Sequence, residues 1–249
     1  MTLRFRSCTY SYSHRRRRPP VLADLSYELP PGLTILLGPN GAGKSTLLRL
    51  AAAVARPRSG DITLGGLTAP TKAYRRAIAW MPQTITAAPA LTVREYVAYV
   101  GWLKGMSRRD AWDRALESLR RVELTDRAEQ RTGRLSGGQL RRLGVAAALV
   151  HGARVLLLDE PTAGMDPHQR RVFRDTLGEL AGEVRILMST HDVADLAEDA
   201  DHVTVLIEGR IRQTGDVPAF LAHGPRGAPP GRAAEAAYTA LLTGPERRH

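Results

Sequence analysis

Hydrophobic and polar positions change rhythm several times along this chain. From residue 1 to 36, short β-like runs alternate with turn signals such as Pro30-Pro31-Gly32, the pattern of an antiparallel sheet. The run Leu33-Thr34-Ile35-Leu36-Leu37 is followed by a loop, and KSTLLRLAAAVA (44 to 55) predicts a helix that Pro57 ends. Ile62-Thr63-Leu64 before Gly65-Gly66 predicts a strand and a turn. Past Ile78 to Met81 and Pro82, the rhythm becomes helical. Thr92 and Glu95 form a T-V-R-E capping box that opens an amphipathic helix through Trp102. Two more helical stretches follow, at about 107 to 122 and 137 to 150. Strand-like runs then return at Val155 to Leu158, Arg185 to Ser189 and Val203 to Ile207. They are continuously apolar, as parallel strands buried on both faces are. Glu208-Gly209 turns the last run into a hairpin with Arg210 to Gln213. Gly and Pro crowd residues 224 to 231, and an Ala-rich helix is expected at 232 to 242.

Composition sets outer limits. The 249 residues are 43% hydrophobic and 24% charged, a globular balance, and one domain with a subdomain is expected at this length. The longest apolar run, Leu143 to Val150, falls far short of the roughly 20 residues that a membrane-spanning helix needs. The N-terminal MTLRFRSCTY lacks the apolar stretch of a secretion signal, so the expectation is a soluble chain that stays inside the cell. A lone Cys8 excludes an internal disulfide and fits a reducing compartment. The formal net charge of +11 suits nucleic acid or an anionic membrane surface as partner. Yet 33 of the 36 basic residues are arginine, a skew that codon bias alone can produce. The Arg15 to Arg18 run, followed by Pro19-Pro20, reads as a solvated loop between two strands.

Three stretches carry chemistry. GPNGAGKST at 38 to 46 satisfies G-x-x-x-x-G-K-[ST] between a predicted strand and a predicted helix. Gly38, Pro39, Asn40, Gly41, Ala42 and Gly43 form a loop whose N–H groups can face phosphate oxygens, reinforced by the helix N-terminus. Lys44 would reach the β- and γ-phosphates, the Ser45 hydroxyl would ligate Mg²⁺, and Thr46 completes the loop. Second, the apolar run 155 to 158 ends in Asp159 and Glu160. Asp159 would hold Mg²⁺ through its water shell, and Glu160 would polarise attacking water as general base. Third, Leu135-Ser136-Gly137-Gly138-Gln139 puts a hydroxyl and a glycine pair at a helix start, a second anion-binding device. In a chain that already owns one phosphate loop, a second anion-binding helix start suggests nucleotide trapped between two subunits. Ser136 could also be a plain helix cap.

With MPQ at 81 to 83, LLLDEPTAGMD and STHD added, the chain resembles the ATP-binding cassette (ABC) ATPases from about residue 3 to 218. The resemblance implies an α/β P-loop ATPase with a parallel core sheet, an antiparallel β subdomain and an inserted helical subdomain at about 84 to 150. Residues 1 to 222 would form the single domain and 223 to 249 a short tail. It also implies ATP and Mg²⁺ as cofactors. Gln83 would touch Mg²⁺ or water and pass nucleotide state to a partner. His191 would hold the γ-phosphate and orient Glu160. Asp166 would act across the dimer, with a simple helix cap before Pro167 as the other reading. Tyr12, or else Tyr10, would stack on adenine. Gly164-Met165 stands where Ala-Leu is frequent, a minor departure, and regulation through a large C-terminal domain is not expected. The implied partners are a second copy of the cassette and an integral-membrane transporter subunit, with nucleic acid set aside. The implied location is cytoplasmic, peripheral on the inner face of the cell membrane. The stretch 91 to 106 is similar to bacterial drug- and antibiotic-exporter ATPases, which points to export; an importer ATPase and a nucleic-acid-acting cassette stay open as alternatives. Substrate identity lies beyond the sequence.

Overall fold

The computed structural model describes residues 1–12, 19–193, 200–225 and 229–243. The Arg15 to Arg18 run lies outside them. Two sheets organise the chain. Strands β1 (Leu3–Tyr10), β2 (Leu22–Glu28), β4 (Ser59–Leu64) and β5 (Leu67–Thr68) form an antiparallel sheet in the order β2-β1-β4-β5. The second sheet runs β10-β9-β3-β8-β7-β6, built from β3 (Leu33–Leu37), β6 (Ile78–Met81), β7 (Val155–Asp159), β8 (Arg185–Thr190), β9 (His202–Ile207) and β10 (Arg210–Asp216). Its strands pair in parallel except β10, which returns antiparallel along β9.

The side-chain period of two explains why the parallel runs are apolar throughout. Leu33, Ile35 and Leu37 of β3 enter one hydrophobic cluster while Leu36 enters the other, on the opposite face. In β7, Leu156 and Leu158 face the first cluster, and Val155 and Leu157 the second. The second cluster lies between the two sheets around α1 (Lys44–Ala51) and includes Tyr74 of α2 (Lys72–Ala77). The first receives helices α3 (Val93–Leu103), α4 (Arg108–Arg120) and α5 (Gly137–Leu149), which lie between β6 and β7 in the chain. Helix α6 (Pro167–Ala181) packs on it through Phe173, Leu177 and Leu180. Near the end, α7 (Val217–Leu221) and α8 (Ala233–Thr243) add Phe220 and Ala237, both fully buried.

Two expectations need correction. The residues from 1 to 36 are not all one antiparallel sheet: Leu33–Leu37 joins the parallel sheet, because a run buried at every position needs neighbours on both faces. The first helix stops at Ala51 rather than residue 55, and Ala53 takes the left-handed conformation (φ 54°) before Pro57 is reached. The T-V-R-E box forms as expected, with Thr92 Oγ1 accepting from Glu95 N–H and the Glu95 carboxylate accepting from Thr92 N–H.

Candidate functional site

The phosphate-loop candidate lies between the end of β3 and α1. Gly43, at φ 105°, occupies the helix N-cap and offers no side chain to the first-turn donors, leaving those N–H groups for an anion. Gly38 is fixed by closeness: a Cβ there would meet the Leu206 carbonyl oxygen at 2.3 Å. Lys44 is buried, and its ammonium donates to the Gly38 carbonyl at 2.6 Å and the Pro39 carbonyl at 3.4 Å. Burial lowers its pKa, opposed by the nearby carboxylates of Glu160 and Asp159. Through these two carbonyls Lys44 clasps its own loop.

Strand β7 delivers both acids. Asp159 Oδ1 accepts hydrogen bonds from Ser45 Oγ (3.0 Å) and from Ser189 Oγ of β8 (2.8 Å). The alternation of β7 sends the next residue the other way, and the chain turns at Glu160, which has a left-handed φ of 46°. For a residue with a Cβ this conformation is sparsely populated and needs external support. The Ser189 carbonyl and hydroxyl, both accepting from Glu160 N–H at 3.1 Å, supply it. One Glu160 oxygen lies 3.8 Å from Lys44 Nζ and the other 3.1 Å from His191 Nδ1. The acid is 14% exposed and the histidine 56%. Glu160 and His191 are thus in contact at the mouth of the loop.

Lys44, Ser45, Glu160 and His191 border a common cavity of about 580 Å³, within the range of small-molecule sites. Its walls include Asn40, Gly41, Lys44, Gln83, Glu160 and His191. Tyr12 borders it too, with its hydroxyl 2.9 Å from Thr46 Oγ1 and its ring edge-on to Tyr10 at 5.2 Å. Asp166 and residues 136 to 139 are not part of the cavity wall. Both are helix caps. Ser136 Oγ accepts from Gln139 N–H and Gln139 Oε1 accepts from Ser136 N–H, and Asp166 accepts from Gln169 N–H. Because the Ser136 oxygen accepts, its own hydroxyl hydrogen is left for an outside acceptor. A Cβ at Gly137 would meet nothing within 4 Å, so this helix start is open to an incoming group.

Two residues hold the site beyond the roles that the motifs imply: Arg141, and Ser189, which opens the STHD stretch. Ser189 braces both acids. Arg141, on the helix that Ser136 opens, donates to the carbonyls of Gln83 (3.1 Å), Glu160 (3.5 Å) and Ala163 (2.9 Å). A serine inside a strand and an arginine inside a helix carry no periodic signal of such a role. For Arg141, the only hint is its place two residues beyond Gln139.

The donors fit the expected ligands. A glycine loop with a lysine clasp suits a triphosphate, and the hard oxygens of Ser45 and Asp159, side by side, suit Mg²⁺. Fold and site together define a P-loop nucleotide-binding cassette with a helical arm. The ABC transporter family profile matches residues 22–163, and the chain belongs to that family.

Among curated relatives, the lipoprotein-releasing system ATP-binding protein LolD 1 of Rhodospirillum rubrum is 33% identical, the match covering 84% of this chain and 96% of that protein. The linearmycin resistance ATP-binding protein LnrL of Bacillus subtilis is 33% identical over 78% of this chain and 64% of its own length. The chain spans only 12% of the mouse ATP-binding cassette sub-family A member 17 at 35% identity, and 61% of the Bacillus subtilis YxlF, an ABC transporter ATP-binding protein, at 38%. Among solved structures, an ATP-binding subunit of an ABC transporter superposes with TM-score 0.80 at 26% identity, covering 97% of this chain and all of that one. A dimeric post-hydrolysis state of the cassette MJ0796 bound to ADP and Pi gives 0.75 at 25% identity, covering 86% and 98%.

Proposed function

We propose that this chain is the ATP-hydrolysing subunit of an ABC transporter that powers export through a separate integral-membrane subunit. The observation that carries the ATPase reading is the contact chain Lys44–Glu160–His191 at the rim of the phosphate-loop cavity. In this reading residues 1–222 act as one unit with the helical subdomain at about 84–150, and 223–249 is an appended tail. Export rests on the likeness to LnrL and to the Nod factor export ATP-binding protein I of Burkholderia lata, 38% identical over 70% of this chain and 59% of its own length. An import role is the alternative.

The loop N–H groups and Lys44 hold the triphosphate, and Tyr12 covers the base. Ser45, Asp159 and Gln83 would hold Mg²⁺, which when bound would neutralise charge on the phosphate oxygens. Glu160 takes a proton from the attacking water, and His191 keeps the carboxylate aimed. General-base contributions of this kind are about 10²–10⁴ in rate. Ser136 and Gly137 of a second copy approach the γ-phosphate from the opposite side, and Asp166 lies at that seam. ATP then favours the closed pair, because the γ-phosphate supplies contacts that ADP lacks.

The membrane subunit would seat on the groove of about 320 Å³ beside Gln83, bordered by Met81, Pro82, Ile85, Tyr96 and Val100. Among the described residues no helix is long and apolar enough to cross a membrane, which is consistent with a partner that does. In this reading the chain works peripherally on the cytoplasmic face. Glu160→Gln is expected to bind ATP normally, lose nearly all turnover and accumulate as a dimer with ATP, measured by phosphate release and light scattering. Turnover at the parental rate would overturn the assignment of the base.

A further inference from the structure

Half of the large hydrophobic side chains exposed among the described residues fall in one short segment: Tyr99, Trp102, Leu103 and Trp112, between 40% and 60% exposed. They sit where α3 ends and α4 begins. Trp102 and Trp112 border a shallow recess with Tyr99 and Arg108, and the Tyr99 and Trp102 rings lie 6.0 Å apart. Arg94 lies 4.0 Å from the centre of the Trp112 ring. Directly beside Trp102, Leu103 lines a second recess of about 530 Å³ whose other walls are Lys72, Arg75, Arg76, Lys104 and Gly105.

That second recess is cationic and unbalanced. No salt bridge engages Lys72, Arg75 or Arg76 among the described residues. Arg76 and Lys104 donate only to backbone carbonyls, of Gly105 and of Arg75 and Ile78. Acids on the neighbouring helices are occupied locally. Asp110 accepts from the hydroxyl of Ser107, which caps α4, Asp113 faces Arg109, and Glu95 closes the α3 capping box. Lys104 also borders the groove proposed for the membrane subunit, so groove and cationic recess meet at that side chain.

We propose that this face, with Lys72, Arg75 and Arg76 beside Trp102, Leu103 and Trp112, docks on the anionic headgroup surface of a lipid bilayer. Amphipathic aromatics suit the headgroup boundary, where the ring is dry and the N–H or O–H is wet. Unpaired cations beside them take lipid phosphates and carboxylates. Apolar insertion and charge attraction add at such a surface, and neither alone anchors a protein firmly. The proposal rests on the membrane-partnered reading only for orientation: a cassette seated in its groove on a membrane subunit turns this face to the same bilayer.

The test uses the full chain and vesicles without any partner protein. Co-sedimentation with phosphatidylcholine vesicles containing phosphatidylglycerol should be strong at low salt and weak with phosphatidylcholine alone. Each cation near an anionic surface is worth about 1 kcal/mol, or roughly fivefold, so Lys72→Ser/Arg75→Ser/Arg76→Ser should partition on the order of 100-fold more weakly. Trp102→Ser/Leu103→Ser should weaken partitioning about tenfold and abolish most of the vesicle-induced blue shift of tryptophan emission. Arg15→Ser/Arg16→Ser/Arg17→Ser/Arg18→Ser serves as comparison and should leave most binding in place. The proposal is overturned if the first two variants bind as the parent does, if the Arg15–Arg18 variant alone abolishes binding, or if homopolymeric RNA binds through the same three cations more tightly than vesicles. ATP-driven dimerisation of Glu160→Gln in solution is read in parallel. If it persists while vesicle binding fails, the membrane face is wrong and the ATPase reading stands.

Discussion

At the scale of single residues, the site depends on one carboxylate held in a conformation it would not adopt alone. Glu160 turns left-handed at the end of β7, and Ser189 and Arg141 grip its backbone from two sides. Arg141 does more than brace Glu160. Its planar guanidinium also ties the carbonyls of Gln83 and Ala163, so one side chain links the segment at Gln83 to the turn at 160–163. Burial lowers the Arg141 pKa without threatening its charge, since guanidinium stays protonated. Arg141→Ala should reduce kcat roughly 10–100-fold while KM for ATP changes little, because misplacing a reacting group by about 1 Å costs this much. Arg141→Lys should rescue it only in part, since a point ammonium cannot span three carbonyls. Steady-state kinetics on folded variants decide this, and a purely structural arginine would instead lower the melting temperature with kcat unchanged.

At the scale of elements, β7 and α5 carry most of the consequences. The alternation that buries β7 on both faces also sets which acid faces Ser45 and which faces His191. Just past the end of α5, His151 is packed near the C-terminal end of α3, and neither ring nitrogen makes a hydrogen bond of good geometry among the described residues. Burial, then the charge of Lys104, push its pKa down to about 4, only slightly offset by the nearby Ile78 carbonyl. The unfolded chain therefore takes up a proton at His151 from about pH 6.5 downward, while the folded chain holds off until about pH 4. Stability is complete above pH 6.5 and falls toward pH 4, by about 3 kcal/mol from this group. His151→Phe should flatten that stretch of the stability curve, measured by urea unfolding between pH 4 and 7. An unchanged slope would show that His151 is accessible to protons when folded.

At the scale of the whole molecule, the ends of the nucleotide are expected to meet different copies. The cavity of one chain lacks residues 136 to 139, whose helix start stays open to an incoming group. In a Glu160→Gln background, Lys44→Ala and Ser136→Arg variants should each fail to dimerise with ATP. Their mixture should recover association, because one of the two composite sites is then intact. Light scattering on the mixture checks it, and a mixture that stays monomeric with ATP would remove the shared-nucleotide arrangement.

The local motifs are legible in the sequence itself. A glycine loop between an apolar run and a helix, two acids at a strand end, and a serine-glycine helix start each need only a few consecutive residues, so their spacing is written in the chain. So is the two-faced burial of the inner strands, since a period of two leaves no polar gap when both faces are covered. Other features depend on residues brought together from far apart. That Leu33–Leu37 leaves the antiparallel sheet, that Ser189 and Arg141 brace Glu160, and that Leu103 of α3 shares a recess with the cations of α2 are decided by packing. Hydrogen bonds to backbone carbonyls and adjacency across helices place no constraint on neighbouring residues in the sequence, and only the folded chain reveals them.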